Sequence, residues 1–190
     1  MKDQFDKLLE PGTVGVIPTD TVYGLVARAA DPEAVQRLYH VKRRENKPGT
    51  IIAASVDQLV DLGLKKRYLT AVEQWWPAPL SVVIPCGPEL NYLHQGKLSL
   101  AVRIPANDDL RELLARTGPL LTTSANSPGE PTATTVDEAR AYLGDEVDFY
   151  KDGGNLTGHQ PSTVVRIIDD AIEVLREGAV KIDESGKIES

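Results

Sequence analysis

The sequence predicts a single α/β domain built on a twisted, mixed β-sheet with flanking helices. Its 190 residues, of which 41% are hydrophobic, suffice for one domain with a substantial core. Strand-length apolar runs and helical segments follow one another at irregular intervals, so the regular alternation of an all-parallel sheet is not visible. No repeat, linker or low-complexity run divides the chain. We therefore expect one folding unit over residues 1–182, followed by a polar tail, 183–190, that frays.

Turn and capping residues mark the ends of the predicted elements in the first half of the chain. Pro11 and Gly12 end an amphipathic first helix. Asp31 and Pro32 supply the N-cap and the first position of the next helix. We predict helices at residues 2–10, 32–42, 56–62 and 69–76 and strands at 14–17, 50–54 and 80–84.

The second half of the chain is richer in predicted strands. Gly118 and Pro119 close a helix, and the strand after them leads into a hydroxyl-rich loop, residues 124–135. We predict strands at residues 98–104, 120–123, 147–150, 162–168 and 172–175 and helices at 108–117 and 136–143.

The charge balance describes an acidic protein. Its 21 Lys and Arg residues against 28 Asp and Glu residues give a net charge of −7. This balance argues against a protein that coats nucleic acid by bulk electrostatics, although it leaves room for a local basic site. The longest apolar runs, such as residues 51–54, have the length of strands, so we expect no membrane span.

Cysteine and histidine usage argues against metal and disulfide chemistry. Cys86 is the single cysteine, which excludes an internal disulfide and a cysteine-based zinc cluster. His40, His94 and His159 lie far apart in the sequence, so no protein metal site is expected. The N-terminus has acidic residues and no apolar core typical of a signal peptide. The cytoplasm is therefore the expected compartment.

Four segments carry side chains suited to ligand binding. Each also has an ordinary structural explanation: a capped turn, cations at a helix end, a solvated loop, or a turn leading into a strand. Only for the basic run does the contrast with an acidic chain favour function slightly. The segments are PTDTVYGL at 18–25, KRRENK at 42–47, TTSANSPGEPT at 122–132, and the pair DGG at 152–154 with PSTV at 161–164.

Two arginines stand out because of their surroundings. Arg103 interrupts the apolar strand at 98–104, where a charge is costly unless it is paired or faces a ligand. Arg176 follows the last predicted strand. Both are candidates for binding an anionic ligand.

Taken in order, these segments resemble the YrdC-like family of threonylcarbamoyl-AMP synthases, in its short, single-domain form. The resemblance covers roughly residues 13–178 and is far more specific than a lone glycine motif. The matching motifs are PTDTVYGL at 18–25, KRRENKP at 42–48, WWPAPLSVVIP at 75–85, AVRIP at 101–105, TTSANSPGEPT at 122–132, PSTVV at 161–165 and EVLREG at 173–178.

The resemblance implies a reaction and a site. L-threonine, bicarbonate and ATP, with Mg²⁺ on the nucleotide, would give threonylcarbamoyl-AMP and pyrophosphate, which makes the chain a nucleotidyltransferase. The product would pass to a separate tRNA threonylcarbamoyltransferase complex for t6A modification. The implied fold surrounds a concave, basic cavity, so an acidic exterior would enclose a cationic site. Such chemistry needs positioning and charge stabilisation rather than an enzyme nucleophile.

The resemblance also assigns roles by position. Lys42 and Arg44 would be catalytic, with Lys42 and Lys47 adding charge at the phosphates. Asn126 would order the loop at 124–126 or contact the nucleotide. Threonine binding is implied for Thr21, Lys47, Arg103, Thr122 and Ser162, and ATP binding for Arg44, Ser99, Ser124, Asn126, Thr132 and Arg176.

Several positions depart from the family pattern. The basic run is one residue shorter after Arg44, so Arg43 and Arg44 compete for one role. Ser81 stands where the family has Thr, and Pro128 replaces a usual Ser after the loop.

Two other functions remain open. An RNA-binding or ribosome-assembly module with weak RNA affinity is disfavoured by the charge of −7. A carbamoyl-transfer domain of the hydrogenase-maturation type is disfavoured by the single cysteine.

Overall fold

The computed structural model describes residues 4–169, 171–183 and 185–189, and a nine-stranded mixed sheet organises them. The strands are β1 Val14–Ile17, β2 Gly24–Arg28, β3 Thr50–Ile52, β4 Leu80–Pro85, β5 Ser99–Arg103, β6 Leu120–Ser124, β7 Phe149–Tyr150, β8 Thr163–Ile168 and β9 Ala171–Arg176. The helices are α1 Pro32–Val41, α2 Val56–Leu62, α3 Lys66–Thr70, α4 Asn91–His94, α5 Asp108–Thr117 and α6 Val136–Leu143. Short 3₁₀ turns cover Gln4–Leu9, Glu73–Trp75 and Pro88–Leu90.

The strand order brings distant parts of the sequence together. It runs β7-β1-β2-β6-β3-β5-β4-β8-β9. The pairs β1/β7, β3/β5 and β4/β8 are parallel, and the other pairs are antiparallel. This arrangement confirms the predicted mixed α/β sheet.

The two faces of the sheet have different coverings. One face carries the main core, in which Ile51, Val82 and Val102 are buried. Because side chains alternate along a strand, Ile52 points to the opposite face, where it packs in a second cluster with Leu110 of α5. The second cluster covers only part of that face, and polar side chains occupy the rest.

The predicted elements agree with the structure wherever caps and periodicity are strong. The strand at 14–17 and the helices at 56–62, 108–117 and 136–143 have the predicted bounds. The Asp31 side chain accepts a hydrogen bond from the Ala34 amide, as the N-cap prediction requires.

Two helix predictions were wrong in their local structure, and one strand was missed. The expected helix at 2–10 is a 3₁₀ turn over Gln4–Leu9, and its residues 2 and 3 lie outside the described part. The expected helix at 69–76 divides into α3 and the 3₁₀ turn Glu73–Trp75, so its hydrogen bonds are not continuous. Strand β2 was not predicted, and its first two residues lie in the segment 18–25, for which a turn was the structural explanation.

The expected frayed tail is partly ordered. A small hairpin pairs β10, Lys181–Ile182, with β11, Ile188–Glu189. The indole Nε1 of Trp75 donates a hydrogen bond of 2.9 Å to the Gly186 carbonyl. Glu184 and Ser190 of the tail lie outside the described residues. The boundary of the folding unit at residue 182 stays a prediction.

Among the described residues, the helices are too short or too polar to cross a membrane.

Candidate active site

A cavity of about 200 Å³ opens on the polar part of the second sheet face, where several strand ends meet. Strand β6 supplies hydroxyls, β5 supplies Arg103, and the start of β8 and the end of β9 supply the far wall. Eight of the twelve predicted site residues line it: Thr21, Arg44, Arg103, Thr122, Ser124, Thr132, Ser162 and Arg176.

The other four predicted residues lie elsewhere. Lys42, Lys47 and Asn126 line an adjoining cleft, which shares Arg44 and Ser124 with the cavity. Ser99 begins the strand that ends at Arg103, yet it lines neither space, and its hydroxyl is 3.4 Å from the Lys97 carbonyl.

Arg103 is held by a carboxylate that the sequence analysis did not single out. Its Nη2 lies 2.9 Å from Asp20 Oδ1, and each side chain is 4% exposed. Burial lowers the pKa of Arg103, and the nearby Asp20 carboxylate opposes that shift. The Arg103 Nε is buried without a hydrogen-bond partner among the described residues. The charge on the apolar strand is thus paired, and one donor remains unused.

Two buried hydroxyls connect Arg103 to Arg176. Ser81 Oγ lies 2.9 Å from Ser162 Oγ and accepts a long, 3.5 Å contact from Arg103 Nη1. Arg176 Nη2 donates to Ser162 Oγ at 3.1 Å. Arg176 also donates from Nε and Nη2 to the Ser162 carbonyl, at 3.1 and 2.7 Å. A continuous polar chain therefore runs from Asp20 to the end of β9.

A β-bulge places Arg176 on the cavity face. Val165 pairs with Val174, but Val164 pairs with Arg176, so Leu175 is an extra residue in β9. In a regular ladder Leu175 would pair with Val164, and Arg176 would point to the opposite face. Bulges next to functional sites commonly redirect a side chain in this way.

Hydroxyl groups shape the opposite wall of the cavity. Thr19 Oγ1 donates to the Val22 carbonyl at 2.6 Å and accepts from the amides of Thr21 and Val22 at 3.2 Å. Residues 19–22 therefore form a turn held by the Thr19 hydroxyl, which places Thr21 at the cavity, whereas Gly24 and Leu25 begin β2. A Cβ on Gly24 would lie 2.6 Å from Thr122 Oγ1, so the glycine allows that hydroxyl to approach β2.

Lys42 lines the cleft and is also bound to the loop at 124–126. Its ammonium donates to the Ser124 carbonyl at 2.7 Å and to both the carbonyl and Oδ1 of Asn126 at 2.6 Å. These bonds use all three ammonium protons. Burial, followed by the charge of Arg44, lowers the pKa of Lys42 to about 8, so it remains protonated at neutral pH. Lys42 anchors the loop at 124–126.

Asn126 makes the contacts expected of a residue that orders the loop, and it also lines the cleft. Besides accepting from Lys42, its Nδ2 donates to the Glu130 carbonyl at 2.6 Å. The side chain therefore bridges α1's end and the loop that follows it. These bonds hold the loop to the end of α1, and contact of Asn126 with the nucleotide stays a prediction.

The basic run resolves into residues with different surroundings. Arg44 is half-buried, lines both the cavity and the cleft, and donates from Nη2 to the Pro48 carbonyl at 3.1 Å. Arg43 is exposed and lines only the cleft, with a left-handed φ of 50°. The backbone amide of Lys47 donates a hydrogen bond of 3.0 Å to Gln95 Oε1. The geometry favours Arg44 over Arg43 for contact with a ligand in the cavity.

The cavity is cationic although the chain is acidic. Arg44, Arg103 and Arg176 all line it. The pKa of Arg176 is lowered by desolvation of its guanidinium and then by the charges of Arg103 and Arg44. Hydroxyls and guanidinium groups bind oxyanions. No group of three or more metal-binding side chains occurs within the described residues.

Comparisons with known proteins identify the family of this chain. The family model named Sua5/yciO/yrdC, described as telomere recombination, matches residues 7–178. A putative threonylcarbamoyl-AMP synthase of Methanocaldococcus jannaschii is 34% identical over 176 residues, covering 90% of this chain and 82% of the relative. The threonylcarbamoyl-AMP synthase of Bacillus subtilis is 31% identical over 179 residues, covering 91% of this chain.

A solved structure shares the fold. Sua5 of Pyrococcus abyssi, complexed with L-threonine, superposes with a TM-score of 0.82 at 27% identity and covers 96% of this chain. The chain spans 57% of that protein and 52% of the Bacillus protein, which are longer. The match across residues 7–178 and the identities above 30% show that this chain belongs to the YrdC-like Sua5/YciO/YrdC family, and with it to the nucleotidyltransferases.

Proposed function

We propose that this chain is an L-threonylcarbamoyladenylate synthase, which forms threonylcarbamoyl-AMP and pyrophosphate from L-threonine, bicarbonate and ATP. The observation that carries the proposal is the cavity itself, in which a buried arginine and several hydroxyls lie beside two further arginines. The names of the relatives agree with it.

The buried end of the cavity suits an amino acid. Arg103 lines the cavity, and its ion pair with Asp20 holds the guanidinium in place. A threonine carboxylate there would gain a charge-assisted hydrogen bond in a poorly solvated place. The hydroxyls of Thr21, Thr122 and Ser162 are positioned to bind the remaining polar groups.

The open end suits a nucleoside triphosphate. Arg44 and Arg176 border the cavity, and the adjoining cleft adds Arg43 and Lys47. Arginine and lysine stabilise phosphate charge as it develops during transfer. Mg²⁺ would arrive on the triphosphate. Lys42 acts by holding the loop that carries Ser124 against the cavity.

The reaction balances without a covalent enzyme intermediate. The amine of threonine and bicarbonate give a carbamate and water. A carbamate oxygen attacks the α-phosphorus, the bond to the bridging oxygen breaks, and pyrophosphate leaves. The chain's contribution is to hold the carbamate in line with the leaving group and to neutralise charge on the phosphates.

The test is pyrophosphate release from ATP with Mg²⁺, measured with threonine and bicarbonate added together and with each omitted. We expect release only when both are present, and a product mass equal to threonylcarbamoyl-AMP. Arg103→Ala should raise the KM for threonine far more than the KM for ATP. Arg116→Ala is the matched control, because Arg116 pairs with Asp6 on the surface and lines neither space.

Two results would contradict the proposal. Pyrophosphate release that does not respond to threonine would show another acceptor. Salt-dependent RNA affinity without any nucleotide turnover would favour an RNA-binding module. If the synthase activity is found, we further propose that the product is passed to a tRNA threonylcarbamoyltransferase complex in the cytoplasm, which a reconstituted tRNA modification assay would test.

A further inference from the structure

Ser81 lies beneath the cavity and touches two of its functional side chains. It belongs to β4, its residue is fully buried, and it does not line the cavity. Its Oγ accepts from Arg103 Nη1 at 3.5 Å and lies 2.9 Å from Ser162 Oγ. The second of these contacts determines how the protons of the two hydroxyls are arranged.

Counting protons favours one direction for the hydrogen bond between the two serines. Each hydroxyl has one proton to donate and two lone pairs to accept. Only one of the two protons can lie between the oxygens, so the other must find a different acceptor. Buried Ser81 has Ser162 as the acceptor within reach, whereas Ser162 lines the cavity. By distance alone either oxygen could donate, and with Ser81 as the donor its buried proton has an acceptor.

This direction leaves Ser162 with one remaining function. Its two lone pairs are taken by the Ser81 proton and by Arg176 Nη2, which donates at 3.1 Å. Its own proton then points into the cavity. Ser162 becomes an obligatory donor, which matches a carboxylate, carbamate or phosphate oxygen and disfavours an ammonium group.

We infer that Ser81 is a positioning residue that fixes Ser162 as a hydrogen-bond donor to an anionic oxygen of the bound threonine or its carbamate. The inference rests on the proposed synthase activity for the identity of that ligand. Ser81 never touches the substrate. It acts through Ser162, and its contact with Arg103 ties the same hydroxyl pair to the guanidinium on the other side.

A double-mutant cycle separates positioning from general stability. In Ser81→Ala, the Ser162 hydroxyl is free to turn its proton elsewhere, so we expect the KM for threonine to rise about tenfold with little change in the KM for ATP, the loss typical of one hydrogen bond to a charged group. Ser81→Thr restores the hydroxyl and should restore the KM. Ser162→Ala removes the donor itself.

The decisive measurement is Ser81→Ala in the Ser162→Ala background. If Ser81 acts through Ser162, adding Ser81→Ala to Ser162→Ala causes no further rise in the KM for threonine, because the hydroxyl that Ser81 orients is already absent. If the rise in the KM for threonine in the double variant equals the product of the two single rises, the inference is overturned. Equal rises in the KM for threonine and ATP, accompanied by a lower Tm that Ser81→Thr does not correct, would also overturn it and would indicate packing alone.

Measuring the wild-type protein first separates a failure of the proposed synthase function from a failure of the Ser81 inference. If wild type forms no threonylcarbamoyl-AMP, the proposed function fails before any variant is compared. If wild type is active and Ser81→Ala has the wild-type KM for threonine, the function stands and the positioning inference alone is refuted.

Discussion

Breaking the Asp20–Arg103 ion pair will cost more stability than any surface ion pair of this protein. The two side chains are each 4% exposed, and 2.9 Å separates Arg103 Nη2 from Asp20 Oδ1. Asp20→Asn and Arg103→Met remove one charge each while keeping similar volume. Either change leaves the opposite charge buried, with weak alternatives: the Ala106 amide lies 3.4 Å from Asp20 Oδ2, and Ser81 Oγ lies 3.5 Å from Arg103 Nη1.

The expected magnitude follows from this burial. Removing one partner of a buried ion pair typically costs about 3–5 kcal/mol, whereas replacing both partners is far less costly. We expect each single variant to lose about 3 kcal/mol of unfolding free energy. The double variant Asp20→Asn/Arg103→Met should lose clearly less than the sum, which gives a coupling energy of about 2 kcal/mol or more.

Urea denaturation followed by circular dichroism measures all four proteins of the cycle. Arg37→Met, Asp148→Asn and their double variant form the control cycle, because the Arg37–Asp148 pair is more than a third exposed on each side. Its coupling should stay below about 1 kcal/mol. Additive losses at Asp20 and Arg103, or coupling no larger than in the control cycle, would refute the argument from burial.

Three further predictions concern other parts of the site. The folded-state pKa of Lys42, about 8, lies below its ordinary value of 10.5, so between these pH values the unfolded chain binds more protons. The unfolding free energy of wild type should therefore rise with pH across that range relative to Lys42→Met, by at most about 3 kcal/mol; a difference between the two proteins that stays constant or falls would contradict this. Gly178→Ala should destabilise the protein by about 2 kcal/mol and raise the KM for threonine, because the new Cβ would lie 2.2 Å from the Pro161 carbonyl beside Ser162; exposed Glu177→Ala is the control, and unchanged urea midpoints in both would show that the backbone yields easily. Gly24→Ala should raise the KM for threonine more than that for ATP, since its Cβ would press on Thr122 Oγ1 at 2.6 Å; equal changes in the two KM values would show that Thr122 does not contact threonine.

The sequence predicted most of the sheet and the location of most site residues. Capping residues and helix-ending residues act on their neighbours in the sequence, so they predicted where elements begin and end, as Asp31 did for α1. Strand β2 was missed because its first residues belong to the PTDTVYGL segment, where threonines and glycine indicate a turn. Its strand conformation comes from pairing with β1 and β6. Strand β6 is distant in the sequence, and β1 is separated from β2 by the turn, so no local pattern indicates either pairing.

The missing parts of the site depend on contacts across the fold. Arg103 signalled that it needed a partner, but nothing local pointed to Asp20, which is 83 positions away. The sequence analysis noted Ser81 only as a replacement for Thr. Its contact is with the Ser162 hydroxyl, 81 positions away in the sequence, so no local pattern pointed to it. For Lys42, charge suggested phosphate binding, and only the structure shows its three hydrogen bonds to Ser124 and Asn126.

Arg44, Arg103 and Arg176 bring three positive charges to one cavity. Desolvation lowers the pKa of Arg176, and repulsion by Arg103 and Arg44 adds to that shift. An oxyanion that settles among them removes this repulsion, and binding to the folded state alone raises stability by about 2.7 kcal/mol at a concentration a hundred times its Kd. A panel of carboxylates, carbamates and phosphates should therefore raise the melting temperature in the order in which their shape and charge match the cavity. Thermal melting would then rank candidate ligands without any assay of turnover.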